Sequence, residues 1–429
     1  MKKIQSILLA SVAAVSLATV PVACGNYSTS GGSGGASGSG SGGSSGSGGS
    51  TSGSGGSTSG SGGSTSGSGG STSGSGGSTS VSGCSNTAGA LPGDILNQCP
   101  NKVVSAHSTV RVIVTGYTGP LYQVCLGTVS AGPSSCKGTP QDIQSKDGYA
   151  DAATQDTFCA DGSCYITKIY DQSGQGNDLE PSPKGGNKPT PGNPAKAAAL
   201  PITINGQSAY GILIRAGIGY RTGCTGCNIK TTNGMAKGDE PQSMYMVTGQ
   251  KDLVDGCCFD YGNAETSSND DGNGTMEAVY FGAGVVWGTG YGGKPGPWVM
   301  ADLENGLYAG WENGQDKNIS TNTPLKFDFV TGVVLGDTRD KNGGKGRFAV
   351  YGSDATSGTL TTLYDGIRPE KPGYVPMQKQ GSLILGTGGD NSNSDGGRFY
   401  EGAVAIGPVV SKDTVDALQA AIVAAKYGQ

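Results

Sequence analysis

Asp302 and Glu304 are the residues of this 429-residue chain whose types and spacing point most directly to acid–base or nucleophilic chemistry. They lie two positions apart in the mainly apolar segment WVMADLENGL, which begins at Trp298. Residues two apart on a strand point to the same side, so the segment predicts two carboxyl groups on one face. Such groups repel each other unless a ligand, a cation or a hydrogen-bond donor lies between them. The alternative is an exposed pair on an edge strand, and the residues alone do not rank one carboxyl over the other as a nucleophile.

Asp390 is the second candidate, because it follows a predicted buried strand and a run of glycines in the segment LILGTGGDNSN. A carboxyl beside glycines at a strand end lies where a ligand can approach the backbone. Together with a carboxyl of the first segment it favours glycoside hydrolysis, in which one carboxyl protonates the leaving oxygen and the other attacks or activates water. Two alternatives stay open, an Asx turn and a calcium loop over 391–396, although Gly402 stands where such a loop needs a final Glu.

Cys257 and Cys258 form the third candidate feature. If bonded to each other, they present a rigid and polarizable apolar surface that suits packing against a sugar; the alternative is that each pairs elsewhere. The spacing of the other cysteines predicts local disulfides between residues 84 and 99, 125 and 136, 159 and 164, and 224 and 227. A zinc site at the last of these pairs would need further Cys or His ligands. No metal and no cofactor are therefore expected.

The rest of the composition narrows the chemistry further. His107 is the single histidine, so two-histidine metal centres are excluded, and we expect this residue to be structural. The net charge is −5 and no basic block occurs, so binding to nucleic acid is not expected.

An all-β fold must position these residues. Outside the Gly-rich N-terminal tract, the remaining part of the 80 glycines is scattered, which is typical of a domain with many turns. Turns are predicted at Asn205–Gly206 and Asp365–Gly366, and a final helix capped by Ser411 is predicted from its apolar face. The pattern favours a β-sandwich with short helical decorations. Six strand-like segments support it: 110–114, 164–170, 210–214, 244–247, 348–351 and 382–385.

The N-terminal region predicts export. Lys2 and Lys3 precede an apolar run over 7–20, which is typical of a signal peptide. The run ends in VACG, which resembles a bacterial lipobox with Cys24 as the lipidated residue; ordinary signal cleavage is the alternative. Gly46–Ser80 consists of five copies of GSGGSTS, which predicts a disordered tether. The predicted organisation is a signal peptide over 1–23, a tether over 24–83 and one folded domain over 84–429.

The folded domain resembles a known family in a series of long strings. They include GYADAATQDTFC from Gly148, IYDQSGQGNDL from Ile169, CCFDYGNAET from Cys257, GPWVMADLENGL from Gly296 and LGTGGDNSN from Leu385. These strings are similar to the catalytic domain of glycoside hydrolase family 54, the α-L-arabinofuranosidase B family. The similarity extends in the same order over nearly all of 84–429.

This resemblance implies a β-sandwich catalytic domain of jelly-roll or concanavalin-like type and an exo-acting, retaining α-L-arabinofuranosidase. It makes Glu304 the nucleophile and Asp390 the general acid/base. The residues that it places around the arabinose are Asp302, Asn305, Trp287, Cys257, Cys258 and Gly389.

The resemblance also implies arabinose-containing plant polysaccharides, arabinan or arabinoxylan, as partners. We expect an exported monomer, either secreted or held at a bacterial cell surface through Cys24. Two other functions remain open at this point: a surface-displayed protein that binds arabinan without cutting it, and a retaining endo-glycanase on another plant-wall polysaccharide.

Overall fold

The computed structural model describes residues 90–284 and 292–429. Within these ranges the α-helices are α1 (Pro92–Leu96), α2 (Ala152–Phe158) and α3 (Lys412–Val423), and a 3-10 turn covers Asn342–Gly344. The strands are β1 (Lys102–Ser108), β2 (Tyr122–Leu126), β3 (Thr139–Ile143), β4 (Ser145–Lys146), β5 (Tyr149–Ala150), β6 (Cys164–Ile169), β7 (Glu180–Pro181), β8 (Ala195–Lys196), β9 (Leu200–Ile204), β10 (Gln207–Ile214), β11 (Tyr220–Thr222), β12 (Gln242–Thr248), β13 (Asp260–Ala264), β14 (Glu277–Gly282), β15 (Trp298–Asp302), β16 (Leu307–Tyr308), β17 (Val330–Asp337), β18 (Arg347–Asp354), β19 (Thr361–Gly366), β20 (Ser382–Leu385), β21 (Gly397–Phe399) and β22 (Glu401–Ile406).

Two large antiparallel sheets form the sandwich. One has six strands in the order β1-β22-β12-β17-β18-β19, and the other has seven in the order β16-β15-β14-β13-β20-β11-β7. Val279 and Val299 of the second sheet share one buried core with Val334 and Val350 of the first. A side chain at Gly332 would meet Val299 across the interface, so glycine there lets the sheets approach closely. The predicted β-sandwich is confirmed.

A helical layer covers the other side of the six-stranded sheet. Helix α3 begins after Ser411, whose side chain accepts the Thr414 N–H at 3.2 Å, as the sequence predicts. Its Val415, Leu418 and Ile422 are fully buried and belong to a core cluster that includes residues of that sheet. The helices are thus decorations on a β framework. Within the described ranges, no helix is both long and apolar enough to cross a lipid bilayer.

Most of the local predictions are confirmed. Five of the six predicted strand segments coincide with β6, β10, β12, β18 and β20. The predicted turn at Asn205–Gly206 connects β9 and β10, where both residues have positive φ.

Two local predictions are wrong, and side-chain hydrogen bonds explain both. Residues 110–114 form no strand, because the N–H groups of Val110 and Arg111 donate to the Ser108 hydroxyl and are not available to a sheet. Asp365 and Gly366 make no turn, because both belong to β19 and pair with residues of β18. The Asp365 carboxylate also binds Arg347 on that neighbouring strand.

The disulfides follow the predicted local pairing. Bridges join Cys125 to Cys136, Cys159 to Cys164, Cys224 to Cys227, and Cys257 to Cys258. Cys84, the expected partner of Cys99, lies outside the described residues.

His107 has a structural environment. Its ring is fully buried, with Nε2 at 2.9 Å from the Asn177 carbonyl and Nδ1 at 3.1 Å from the Tyr261 hydroxyl. Burial lowers the pKa of His107, so the ring is neutral at neutral pH. This agrees with the structural role expected from the sequence.

Candidate active site

One pocket brings together the three segments selected from the sequence. Its residues come from segments that adjoin three strands of the seven-stranded sheet, in which β13 and β20 are neighbours and β14 separates β15 from β13. Strand β15 ends at Asp302, β20 ends at Leu385 shortly before Asp390, and β13 begins directly after Cys258 and Phe259. Residues far apart in the chain therefore meet at one place. The lining residues are Cys257, Cys258, Asp270, Met276, Asp302, Glu304, Asn305, Gly388, Gly389, Asp390 and Ser392.

Seven of the eight sequence-predicted site residues line this pocket: Glu304, Asp390, Asp302, Asn305, Cys257, Cys258 and Gly389. The eighth, Trp287, lies in the stretch 285–291, outside the described residues.

The two-residue spacing suggests that Glu304 and Asp302 lie on the same strand. In the structure, Glu304 lies beyond the end of that strand. Strand β15 ends at Asp302, and Glu304 and Asn305 take left-handed backbone conformations with φ of 61° and 56°. This conformation costs about 1–2 kcal/mol for a residue other than glycine. Two hydrogen bonds hold it: the Glu304 N–H donates to Asp302 Oδ1 at 3.0 Å, and the Tyr374 hydroxyl donates to the Glu304 carbonyl at 2.7 Å. A tight turn therefore directs both carboxyl groups into one pocket.

Asp390 is held by its own loop and by the segment that carries Asn187. Its Oδ1 accepts the Ser392 N–H at 2.9 Å, and its carbonyl accepts the Asn187 N–H at 3.0 Å. Asp390 is half-buried, whereas Glu304 is 7% exposed. Of the two candidate catalytic carboxyls, Asp390 is thus the more open to solvent.

Residues 391–396, for which a calcium loop was the alternative interpretation, make several internal hydrogen bonds. Asn391 Oδ1 accepts the Ser182 hydroxyl at 2.7 Å, and Asp395 Oδ1 accepts the Gly396 N–H at 2.6 Å. The Asp395 carboxylate also accepts the Tyr280 hydroxyl at 3.2 Å. These contacts favour a folded Asx-type loop.

Burial dominates the electrostatics of the pocket. It raises the pKa of Asp302 to about 7, and it raises the pKa of Glu304 well above its usual range, with the negative charge of Glu265 adding to the effect. Burial and the nearby Asp302 likewise raise the pKa of Asp260. Since like charges packed together cannot all ionise, the cluster carries fewer charges at neutral pH than its composition suggests. Perturbed carboxyls in a pocket are typical of a catalytic site.

A family model confirms the resemblance found in the sequence. The model described as "Alpha-L-arabinofuranosidase B, catalytic" matches residues 92–428, which is more than half of the chain. The chain belongs to the α-L-arabinofuranosidase B family.

Curated and solved relatives of this family agree with that assignment. A probable α-L-arabinofuranosidase B of Aspergillus clavatus is 46% identical over 347 residues, which cover 80% of this chain and 63% of that protein. An arabinofuranosidase/β-xylosidase of Trichoderma koningii is 45% identical over 340 residues, covering 78% of this chain and 63% of that protein. The chain therefore spans less than two thirds of the length of these relatives.

A crystal structure of an arabinofuranosidase in complex with arabinofuranosyl-α-1,2-xylobiose is 41% identical, with a TM-score of 0.69. The match covers 79% of this chain and 66% of that one. A mutant of a family 54 arabinofuranosidase soaked with 4-nitrophenyl α-L-arabinofuranoside matches with the same identity, coverage and TM-score.

Sequence reasoning missed three buried charged residues in this member of the arabinofuranosidase B family: Arg221, Asp260 and Glu265. Asp260 and Glu265 lie within the string CCFDYGNAET but were not singled out, because a single acid in a short string does not reveal its burial. Arg221 lies on the three-residue strand β11, where nothing in the local pattern distinguishes it from a surface arginine. Their contacts with the pocket appear only in three dimensions.

Gly389 is the position where an added methyl group should most clearly disturb the site. A Cβ there would collide with the carboxyl of buried Glu265. We expect Gly389→Ala to lower kcat/KM for an arabinofuranoside on the order of 100-fold, because small displacements of catalytic groups cost about this much. The control is Gly186→Ala, an exposed glycine where the added atom would come no closer than 3.1 Å to its neighbours. Equal activity of both variants would show that Gly389 tolerates a side chain.

Proposed function

We propose that this chain is an exo-acting, retaining α-L-arabinofuranosidase that releases terminal L-arabinofuranose from arabinan or arabinoxylan. The observation that carries the proposal is the joining of Glu304, Asp390 and the Cys257–Cys258 disulfide in one small pocket of an arabinofuranosidase B domain. A paired set of carboxyls is what glycoside hydrolysis requires.

In the proposed mechanism Glu304 is the nucleophile and Asp390 is the general acid/base. Asp390 gives its proton to the glycosidic oxygen while Glu304 attacks the anomeric carbon, so the leaving group departs as an alcohol and a glycosyl ester forms. Asp390, now ionised, takes a proton from water as that water attacks the same carbon. Glu304 leaves as a carboxylate, arabinose is released with retained configuration, and Asp390 is protonated again.

The other lining residues are proposed to bind the arabinose. Asp302 and Asn305 offer polar groups, and Asn305 is held by a 3.0 Å hydrogen bond from Nδ2 to Asp270. The Cys257–Cys258 disulfide offers an apolar surface, and Gly389 leaves room for the sugar beside the backbone. Trp287 is proposed on the resemblance alone. We propose that no metal or cofactor takes part, because the carboxyl pair suffices for this chemistry.

Hydrolysis of 4-nitrophenyl α-L-arabinofuranoside, followed by product analysis on arabinan and arabinoxylan, tests the proposal. We expect nitrophenol from the first substrate and only monomeric arabinose from the polymers. Binding of arabinan without release of nitrophenol would instead establish a carbohydrate-binding protein. Oligosaccharide products would establish an endo-acting enzyme.

We further propose that the chain is exported and that Cys24 carries a lipid, with 24–83 as a tether to the folded domain. The charged and apolar N-terminal pattern and the lipobox-like VACG support this. The natural chain expressed in a bacterial host should incorporate a labelled fatty acid and partition into detergent. Cys24→Ser should lose both properties. Release of unlabelled wild-type protein into the medium would show that the protein is secreted without a lipid anchor. We propose that the enzyme is a monomer, which its sedimentation would test.

A further inference from the structure

Arg221 is a fully buried residue to which the proposed mechanism gives no role. It lies on β11 and pairs with Ile384 of β20, the strand that leads into residues 386–392, here called the acid/base loop. Burial lowers the pKa of Arg221 to about 10, which leaves the side chain a cation at neutral pH. A buried charge is costly unless it is hydrogen-bonded, so the partners of this one indicate what it does.

Each nitrogen of the Arg221 guanidinium donates a hydrogen bond. Nη1 donates to the Gly389 carbonyl at 2.7 Å and to the Ser268 hydroxyl at 3.0 Å. Nη2 donates to the Glu265 carbonyl, and Nε donates to the Ser382 hydroxyl at 3.1 Å. The arginine thus connects the segment that follows β13 to the start of β20 and to the acid/base loop.

The bond to Gly389 holds the peptide group that directly precedes Asp390. A peptide group is planar, so the Gly389 carbonyl and the Asp390 N–H move as one unit with the Asp390 Cα. The same backbone is confined on another side, because a Cβ on Gly389 would collide with the Glu265 carboxyl. The place of Asp390 therefore depends on a peptide group that Arg221 binds from within the buried framework.

The acid/base loop is otherwise closed largely by bonds within itself. The Gly388 N–H donates to the Ser392 carbonyl at 2.8 Å, and the Asn391 N–H donates to the Gly388 carbonyl at 3.1 Å. The Ser392 N–H donates to Asp390 Oδ1 at 2.9 Å. These bonds make the loop compact, and the bond from Arg221 joins this compact unit to the sheet at the residue next to Asp390.

We propose that Arg221 is a positioning residue for Asp390, and that it holds the Gly389–Asp390 peptide group so that the Asp390 carboxyl meets the glycosidic oxygen. The inference rests on the proposed arabinofuranosidase activity. Arg221 does not line the pocket, so it acts through the backbone and not on the sugar. Arginine suits this task because its planar fork binds several acceptors in fixed directions, whereas lysine offers one flexible ammonium group.

Arg221→Lys should impair proton transfer to the leaving group more than any other step, because it keeps the charge and loses the fork. For a retaining enzyme kcat/KM covers the first displacement, in which Asp390 protonates the leaving oxygen. Phenolate needs this proton more than 4-nitrophenolate does. We expect kcat/KM to fall by about 100-fold for phenyl α-L-arabinofuranoside and by less than about tenfold for the 4-nitrophenyl substrate.

Ser268→Gly is a milder second variant. It removes one acceptor of Nη1, and glycine adopts the φ of 61° found at Ser268 without strain. We expect a smaller loss of kcat/KM with the same preference for the phenyl substrate. Thermal unfolding verifies that each variant is folded, and Ser268→Gly decides alone if Arg221→Lys does not fold.

Arg111→Lys is the matched control. Arg111 is a buried arginine whose guanidinium binds the Glu401 carboxylate at 2.6 and 2.8 Å, and Glu401 lies on β22 of the six-stranded sheet, outside the pocket. Its substitution should lower the melting temperature but leave the ratio of the two kcat/KM values as in the wild type. A purely structural role for Arg221 predicts the same unchanged ratio for Arg221→Lys.

Hydrogen exchange tests the contact without a substrate. Hydrogen bonds within the acid/base loop protect the N–H groups of Gly388, Asn391 and Ser392. In folded Arg221→Lys and Ser268→Gly a peptide covering 386–392 should exchange about tenfold faster, because a loosened loop opens more often. Arg111→Lys should exchange there as the wild type does.

The outcomes separate the two proposals. A wild-type protein that hydrolyses neither substrate refutes the proposed function, and unchanged exchange of 386–392 in the folded variants then overturns the role of Arg221 as well. If the wild type is active, a folded Arg221→Lys that loses the same factor on both substrates, or loses nothing, overturns the positioning of Asp390 by Arg221.

Discussion

Glu304→Ala should abolish turnover of 4-nitrophenyl α-L-arabinofuranoside, with kcat lower by at least about 1,000-fold, while the domain stays folded. Without this carboxylate no group of the protein attacks the anomeric carbon, and losses of this size or larger are typical when a covalent nucleophile is removed. Stability should not fall, because the substitution removes one of several buried carboxyls whose charges oppose each other. Steady-state kinetics and thermal unfolding measure both effects.

Chemical rescue separates loss of the nucleophile from general damage. The cavity left by alanine admits azide, which should restore turnover and give arabinosyl azide of inverted configuration, because only one displacement then occurs. Asp302→Ala is the matched control, since it removes the neighbouring pocket carboxyl. Its effect should fall on both KM and kcat, because Asp302 also holds the turn that carries Glu304, but azide should not rescue it. Turnover within tenfold of wild type in folded Glu304→Ala would contradict the assigned role.

Asp390→Ala should have an effect that depends on the leaving group. Release of 4-nitrophenol needs little protonation, so the first step survives and a burst should precede slow hydrolysis of the glycosyl enzyme. Arabinan has a poor leaving group, so its hydrolysis should fall by about 100- to 10,000-fold, the usual contribution of general acid–base catalysis. Rapid-mixing kinetics on the chromogenic substrate test the expected burst. Arabinose release from arabinan tests the expected loss of hydrolysis.

The acid/base role has its own rescue and control. Azide should speed the second step of Asp390→Ala and give arabinosyl azide of retained configuration. Asp271→Ala, at an exposed acid that does not line the pocket, should keep wild-type rates on both substrates. Equal losses on good and poor leaving groups would argue that Asp390 acts in binding and not in proton transfer.

The fold was predictable because its signals are local. Strand β20 coincides with the predicted segment 382–385, and Ser411 caps α3 as expected, since apolar runs and cap residues act through their immediate neighbours. Residues 110–114 have the composition of a strand, but the Ser108 side chain captures two of their N–H groups. A side chain that competes for the backbone in this way is not visible in an apolar pattern.

The candidate site was predictable in part. The apolar surroundings of Asp302 and the glycines before Asp390 indicated segments that the structure brings together in one pocket, but residue spacing could not rank Asp302 and Glu304. Glu304 lies beyond the end of β15 in a left-handed turn, so the alternation of side chains along a strand does not determine where its carboxyl points. Arg221 and Glu265 could not be found locally, because what distinguishes them is burial and contact with Gly389, far along the chain.

The most direct test of the central claim is to locate the glycosyl ester. The Asp390→Ala variant should accumulate it on 4-nitrophenyl α-L-arabinofuranoside, and peptide mass spectrometry should then find one pentosyl group on Glu304. The same peptide from Asp390→Ala without substrate should be unmodified. A pentosyl group on Asp302 or Glu265, or an arabinose product of inverted configuration from the wild type, would contradict double displacement through Glu304.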